Sequence, residues 1–207
     1  MVFTEEVKKY WDKFWFLLWK DDSFKGWAFS LIFLIIFIKF IFFPLLSFTT
    51  GTQLPLAIVE SCSMYHQGNL LSDFDSWWNA NGEKYSSFNV EKNDFDKFGF
   101  KKGFNKGDIL SIRGVNPDKL KVGDVVVFAA GINHPVIHRI VSIKEENGKR
   151  VFSTMGDNNM GQLQQEKAIS EDSIIGKASV KMIPYFGWIK LIFFEGGKSP
   201  GERGFCN

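Results

Sequence analysis

The chain of 207 residues has little surplus of charge: 25 lysines and arginines stand against 23 acids, and the bases occur singly or in pairs rather than in a block. That balance excludes the basic stripe on which nucleic-acid binding depends, and no nucleic-acid partner is expected. Cysteine is nearly absent. Cys62 and Cys206 lie at opposite ends of the soluble part and supply no framework of the kind that holds small secreted domains together, so they say little about redox compartment. Internal repeats and low-complexity tracts are missing too. His134 and His138 are four apart, but Pro135 and the β-branched surroundings favour a strand, and no cysteine or acidic motif lies near; neither a metal nor a cofactor is expected. Aromatics, in contrast, abound. The 23 phenylalanines and 7 tryptophans gather near an apolar stretch and in the segment after Ser63, a composition suited to a lipid interface.

From Trp27 to Phe48 the sequence WAFSLIFLIIFIKFIFFPLLSF carries one charge, Lys39. At about 1.5 Å per residue such a helix would cross a hydrocarbon core of roughly 30 Å. Lys39 reads as a side chain snorkelling to the outer interface, and Pro44 lies near the exit end. The stretch reads as an anchor rather than a cleaved signal. The segment before it mixes acids with bases, the apolar run exceeds a signal's core, and no small-x-small cleavage site follows. Lys8, Lys9, Lys13, Lys20 and Lys25 precede it, whereas the next lysine after it is Lys84, so the N-terminus is expected in the cytoplasm and the domain outside. Within residues 1–20, Val7, Tyr10, Trp11, Phe14, Leu17 and Leu18 recur at spacings of three and four, which predicts an amphipathic helix along the inner membrane surface, with packing on a partner as the alternative. The expected organisation is a cytoplasmic amphipathic segment at 1–25, a transmembrane anchor at 26–49 and a β-rich domain at 50–207.

Beyond residue 50, short runs rich in β-branched residues are separated by glycine, asparagine and aspartate. Strands are predicted at 56–60, 108–114, 124–129, 136–144, 150–155 and 174–181, with a hairpin joining Pro135–Lys144 to Arg150–Met155 through Glu145, Glu146, Asn147 and Gly148. Residues 67–105 have aromatics in polar surroundings and no sustained period, and read as an insertion whose role as lid, membrane-dipping loop or substrate rest stays open. The run Met182 to Phe194 is too short and broken to span, and reads as core or interfacial surface.

About a dozen residues past the anchor comes Ile58-Val59-Glu60-Ser61-Cys62-Ser63-Met64-Tyr65-His66. A lone serine in such a place is usually a turn hydroxyl. It is followed, in order, by Lys106-Gly107-Asp108-Ile109-Leu110, Gly123-Asp124-Val125-Val126-Val127-Phe128, Val136-Ile137-His138-Arg139-Ile140-Val141, Thr154-Met155-Gly156-Asp157-Asn158-Asn159 and Ile175-Gly176-Lys177-Ala178. That ordered series resembles the type I signal peptidases, membrane proteases that remove signal peptides from exported proteins. Bacterial members carry a lysine base before the arginine; here His138 precedes Arg139, so the resemblance is to the archaeal and endoplasmic-reticulum branch with its serine, histidine and aspartate.

The resemblance implies a mainly β, extracytoplasmic, signal-peptidase-like catalytic domain behind the amphipathic helix and the single transmembrane helix, in the cell membrane. It makes Ser63 the nucleophile, His138 the general base and Asp157 the acid, with the Ser63 N–H and the Ser61 hydroxyl as oxyanion donors. A serine needs such a base to be a nucleophile at neutral pH, and an acid on the other ring nitrogen fixes the tautomer. The implied partners are the signal peptides of preproteins, cleaved after small residues, and membrane lipid, with the protein-export channel a further candidate. Two positions depart from the pattern: Cys62 stands where glycine is usual, and Gln162 and Leu163 stand where a second aspartate is common. Asp157 then orients His138 alone, or Glu166 or Asp172 reaches in. Cys62 is an alternative nucleophile, and His66 reads as exposed. The rival function is a catalytically inactive, anchored β module that binds exported chains or a peptidase partner.

Overall fold

The computed structural model describes residues 2–68, 74–131 and 134–206, so residues 69–73 of the insertion lie outside what is described. It divides into two compact units, Met1–Thr49 and Thr50–Asn207.

The first unit is helical. Helix α1 (Val2–Trp19) is followed by α2 (Phe24–Phe37), a π-helical turn (Ile38–Phe42) and α3 (Phe43–Thr50). Ser23 caps α2, its hydroxyl accepting from the Gly26 N–H. Together the stretch Phe24–Thr50 is 27 residues long and apolar enough to cross a membrane. The wide turn has a cause in Pro44, which has no N–H to give to the Phe40 carbonyl and whose ring crowds it. The backbone relaxes by bonding the Phe43 N–H to the Ile38 carbonyl instead. Part of the amphipathic stripe of α1 meets α2: the Phe14 ring lies edge-on to Phe29 at 5.7 Å and to Phe33 at 5.4 Å, and the Ser30 hydroxyl donates to the Leu18 carbonyl at 2.9 Å. Tyr10 and Trp11 stay exposed.

Among the described residues the second unit is built on one antiparallel sheet of seven strands: β1 (Leu56–Ile58), β2 (Ile109–Arg113), β3 (Val125–Phe128), β4 (Val136–Glu146), β5 (Lys149–Met155), β6 (Ile169–Ser170) and β7 (Ile174–Ile183). Their spatial order is β1-β2-β7-β3-β4-β5-β6. Six occupy stretches expected from composition; β6, at two residues, is too short to leave a pattern. The β4–β5 hairpin turns at Asn147 and Gly148, both at positive φ, the geometry that an Asn-Gly pair adopts at little cost.

The central strand β3 explains the core. Its four residues are all buried because the sheet is covered on both sides. Val125 and Val127 join Leu110, Ile112 and Ala178 on one face, whereas Val126 and Phe128 join Ile140, Phe152 and Ile169 on the other. A third cluster is supplied by the insertion, whose short helices α4 (Phe74–Asn81), α5 (Glu83–Ser86) and α6 (Lys92–Phe95) bury Trp77, Tyr85 and Phe95 against Val141 and Met155. The described part of the insertion is therefore core and not a projecting flap. A last helix, α7 (Trp188–Leu191), buries Leu191, while its Ile189 and the flanking Phe186, Ile192 and Phe193 are more than half exposed. Of the two readings open for Met182 to Phe194, surface describes most of it.

Candidate active site

His138 stands on β4, opposite Val126 of β3, at the middle of the sheet. Its Nε2 lies 2.8 Å from Ser63 Oγ, in the turn that follows β1. Its Nδ1 meets Glu166 Oε1. With the Nδ1 proton donated to the carboxylate, the Nε2 lone pair faces the serine O–H, the arrangement a general base requires. Ser61 Oγ is 3.1 Å from Ser63 Oγ, within reach of an oxygen developing charge beside the nucleophile.

Glu166 closes a short turn (Gln164–Glu166) and is fully buried. Its Oε1 also accepts from the Thr154 hydroxyl at 3.2 Å, and its Oε2 accepts from the Leu163 N–H at 2.7 Å. Those donors hold the carboxylate in the orientation that meets the histidine. Asp172, the other acid considered, is exposed and lies 3.9 Å from Lys149.

Asp157, the expected acid, makes its bonds elsewhere. Arg139 grips it with Nε on Oδ1 at 2.9 Å and NH2 on Oδ2 at 2.6 Å, Tyr85 donates to Oδ1 at 2.9 Å, and His66 Nε2 donates to Oδ2 at 2.9 Å. Four donors occupy its two oxygens, so none of its accepting capacity is left for His138. Burial acts to raise its pKa, but Arg139 and the bond from His66 overcome this and hold the carboxyl well below the usual range. Arg139 spends all its donors: besides Asp157 it reaches the carbonyls of Gly99, Gly123 and Phe100. Asp157 serves Ser63 through the turn that carries it. The Asn158 N–H donates to the Ser63 carbonyl at 2.7 Å, and its side-chain amide donates to the Cys62 carbonyl at 3.0 Å. Lys84, from the insertion, ties the same turn by donating to the Asp157 carbonyl at 2.5 Å and the Asn159 carbonyl at 3.1 Å. Gly156 has to be glycine, because a Cβ there would come within 2.9 Å of His138 Nε2 and 2.8 Å of the Ser63 carbonyl.

Two readings are corrected. His66 is 2% exposed, not a surface group, because Trp77 stacks on its ring at 3.6 Å and Asp157 takes its proton donor. Cys62 is no nucleophile, since it is bonded to Cys206 and carries no thiol. His134, four residues before His138, is exposed, and both nitrogens of His138 are engaged by Ser63 and Glu166. Glu166 was open among the acids by position only, and no spacing rule selects it.

Burial pushes the His66 pKa below its ordinary value, with Asp157 opposing part of that shift. The imidazole is then neutral in the fold, while the unfolded chain takes up a proton below about pH 6.5. Its contribution to stability is full above that pH and is lost as pH falls through it towards the lower folded value. The melting midpoint is expected to decline below about pH 6.5, and His66→Gln should flatten that decline. An equal slope in the variant would assign it to another group.

No family model matches the sequence. Comparison with curated proteins finds the signal peptidase complex catalytic subunit SEC11C of Homo sapiens, 30% identical over 96 residues that make up 43% of this chain and 50% of that protein. The catalytic subunit SEC11 of Colletotrichum graminicola is 30% identical over 98 residues, 44% of this chain and 57% of its own length. That of Candida tropicalis is 29% identical over 100 residues, 44% and 58% respectively. These catalytic subunits are homologues of the chain, which spans about half the length of the curated relatives it matches.

Proposed function

We propose that the chain is a membrane-bound signal peptidase, a serine endopeptidase that cleaves signal peptides after small residues, with Ser63 as nucleophile, His138 as general base and Glu166 as the acid that orients it. The single observation that carries this reading is the unbroken chain of contacts from Ser63 Oγ through both nitrogens of His138 to the buried Glu166 carboxylate. In the reaction, His138 Nε2 takes the Ser63 proton as Oγ attacks the scissile carbonyl, and later returns it to the leaving amine. The Ser63 N–H and the Ser61 hydroxyl donate to the oxyanion, each such donor being worth about 3 kcal/mol in a comparable site. Asp157 is assigned here to holding the turn against Ser63.

The reading places the N-terminus in the cytoplasm and the sheet domain on the far side of the membrane. The lysines ahead of the apolar helix support that orientation, and so does the Cys62–Cys206 bond, which persists in oxidising compartments. The exposed Phe186, Ile189, Ile192 and Phe193 suit a domain working at a lipid interface. Signal peptides and lipid are the proposed partners, and the export channel is a third.

The full chain reconstituted in lipid vesicles should cleave a preprotein once, after a small residue. A peptide phosphonate ending in a small residue should label Ser63 covalently. An intact, folded chain that neither cleaves nor takes the label would favour the inactive binding module instead.

A further inference from the structure

The turn that carries Ser63 is held from a second side by the C-terminal segment. Beyond α7 the chain makes turns at Glu195–Gly197 and Pro200–Glu202 and returns to bond Cys206 to Cys62, the residue immediately before Ser63, across 144 positions of sequence. Lys198 Nζ donates to the Glu60 carbonyl at 2.8 Å, and Lys190 pairs with the Glu60 carboxylate at 3.0 Å. The segment is itself pinned. Lys106, 1% exposed, donates to Glu195 Oε2 at 2.8 Å and to the Glu202 carbonyl at 2.6 Å, and the Trp188 indole donates to the Lys106 carbonyl at 3.1 Å while its ring lies 4.5 Å from Phe205. Residues 60–63 thus sit between two clamps: Asn158 on the carbonyls of Cys62 and Ser63, and the C-terminal segment on Glu60 and the Cys62 sulfur.

We infer that residues 188–206 form a strap that positions Ser63 against His138, with the Cys62–Cys206 bond as its fixed end. The physical need is evident at Cys62. The side chain of Ser63 must stay within hydrogen-bond reach of a histidine that the sheet holds rigidly, while its own turn has no regular secondary structure between Ile58 and the insertion. A covalent tie one residue away restricts that turn directly. A displacement of about 1 Å between reacting groups costs on the order of 100-fold in rate. A disulfide that acted only as a staple would instead stabilise the whole fold and leave turnover below the melting point unchanged.

This inference rests on the peptidase reading, and its test separates the two. The full chain in lipid vesicles is assayed on a signal-peptide substrate for kcat and KM, oxidised, after reduction by dithiothreitol, and after reoxidation. The same assay is run on Cys62→Ala/Cys206→Ala and on Lys198→Met, each with a melting curve. The reduced protein and the double variant are expected to lose about 10- to 100-fold in kcat with KM nearly unchanged, below their melting midpoints. Reoxidation should restore the wild type, and Lys198→Met should fall between. A folded double variant or reduced protein that keeps kcat within about twofold would overturn the strap, since a 1 Å slip costs far more. So would a loss of turnover that appears only where the melting transition has gone. If the oxidised wild type cleaves nothing, the peptidase reading fails, and amide exchange still decides the strap: reduction should speed exchange at residues 60–65 selectively, and unchanged exchange there refutes it.

Discussion

Ser63→Ala and His138→Ala are each expected to abolish preprotein cleavage, with a fall in kcat of about 10⁶-fold, the magnitude for loss of either member of such a pair in another serine protease. The two changes together should cost little more than either one, because the hydroxyl and the imidazole act as one unit across 2.8 Å. Glu166→Gln tests the third member. The amide keeps the size of the side chain but can donate as well as accept, so the imidazole can turn to the tautomer whose Nε2 carries a proton and cannot receive one from Ser63. For an acid in this place the loss is about 10⁴-fold in kcat. Binding contacts are untouched, so KM should hold. Glu166→Asp keeps the charge on a shorter arm and should recover part of the rate. Asp157→Asn gives the contrasting result: its carboxylate meets Arg139, Tyr85 and His66, so its variant should lose stability first. A Glu166→Gln enzyme within tenfold of wild type, beside an Asp157→Asn enzyme that is folded and inactive, would return the orienting role to Asp157.

The contact of His138 with Glu166 and not Asp157 shows where sequence reading stops. Ser63 and His138 were singled out by the resemblance, with Met64 after one and Arg139 after the other, and the structure brings the two side chains to 2.8 Å. The strands were legible for the reason the core exists: β-branched residues fill β3 and β4, and both faces of the sheet are covered. Glu166 follows the vacant aspartate position by three to four residues, in a turn whose course depends on Gln162 reaching the Thr154 carbonyl and on Glu166 capping Leu163, and neither contact has a sequence signature. The insertion defeated periodicity because its helices are four to eight residues long, and their burial depends on Val141 and Met155 of other elements. His66 looked exposed because the stacking ring, Trp77, comes from that same insertion. The Cys62–Cys206 bond spans 144 positions, and two cysteines so far apart suggest no pairing until the fold brings their Cα atoms to 5.5 Å.

The largest effect on folding should come from Arg139→Met. The substitution fits the volume of the arginine stem but leaves Asp157 charged, fully buried and bereft of both guanidinium donors, while the carbonyls of Gly99, Gly123 and Phe100 each lose a donor. Breaking a buried pair by removing one partner costs about 3–5 kcal/mol. For a domain of this size that corresponds to a melting midpoint lower by about 10 °C or more. Part of the loss is the orphaned charge itself, so Arg139→Met/Asp157→Leu should melt above Arg139→Met alone. Thermal melts of the full chain in one detergent decide the matter. A single variant within about 1 kcal/mol of wild type would mean that the buried pair does not hold the turn, since loss of one partner is otherwise several times more costly. Where the melt falls as expected, turnover measured well below the midpoint should fall too, because the same Asp157 turn carries Asn158 and its bonds to the Cys62 and Ser63 carbonyls. Stability and the placement of Ser63 are coupled in this fold through one turn, and the core arginine holds both.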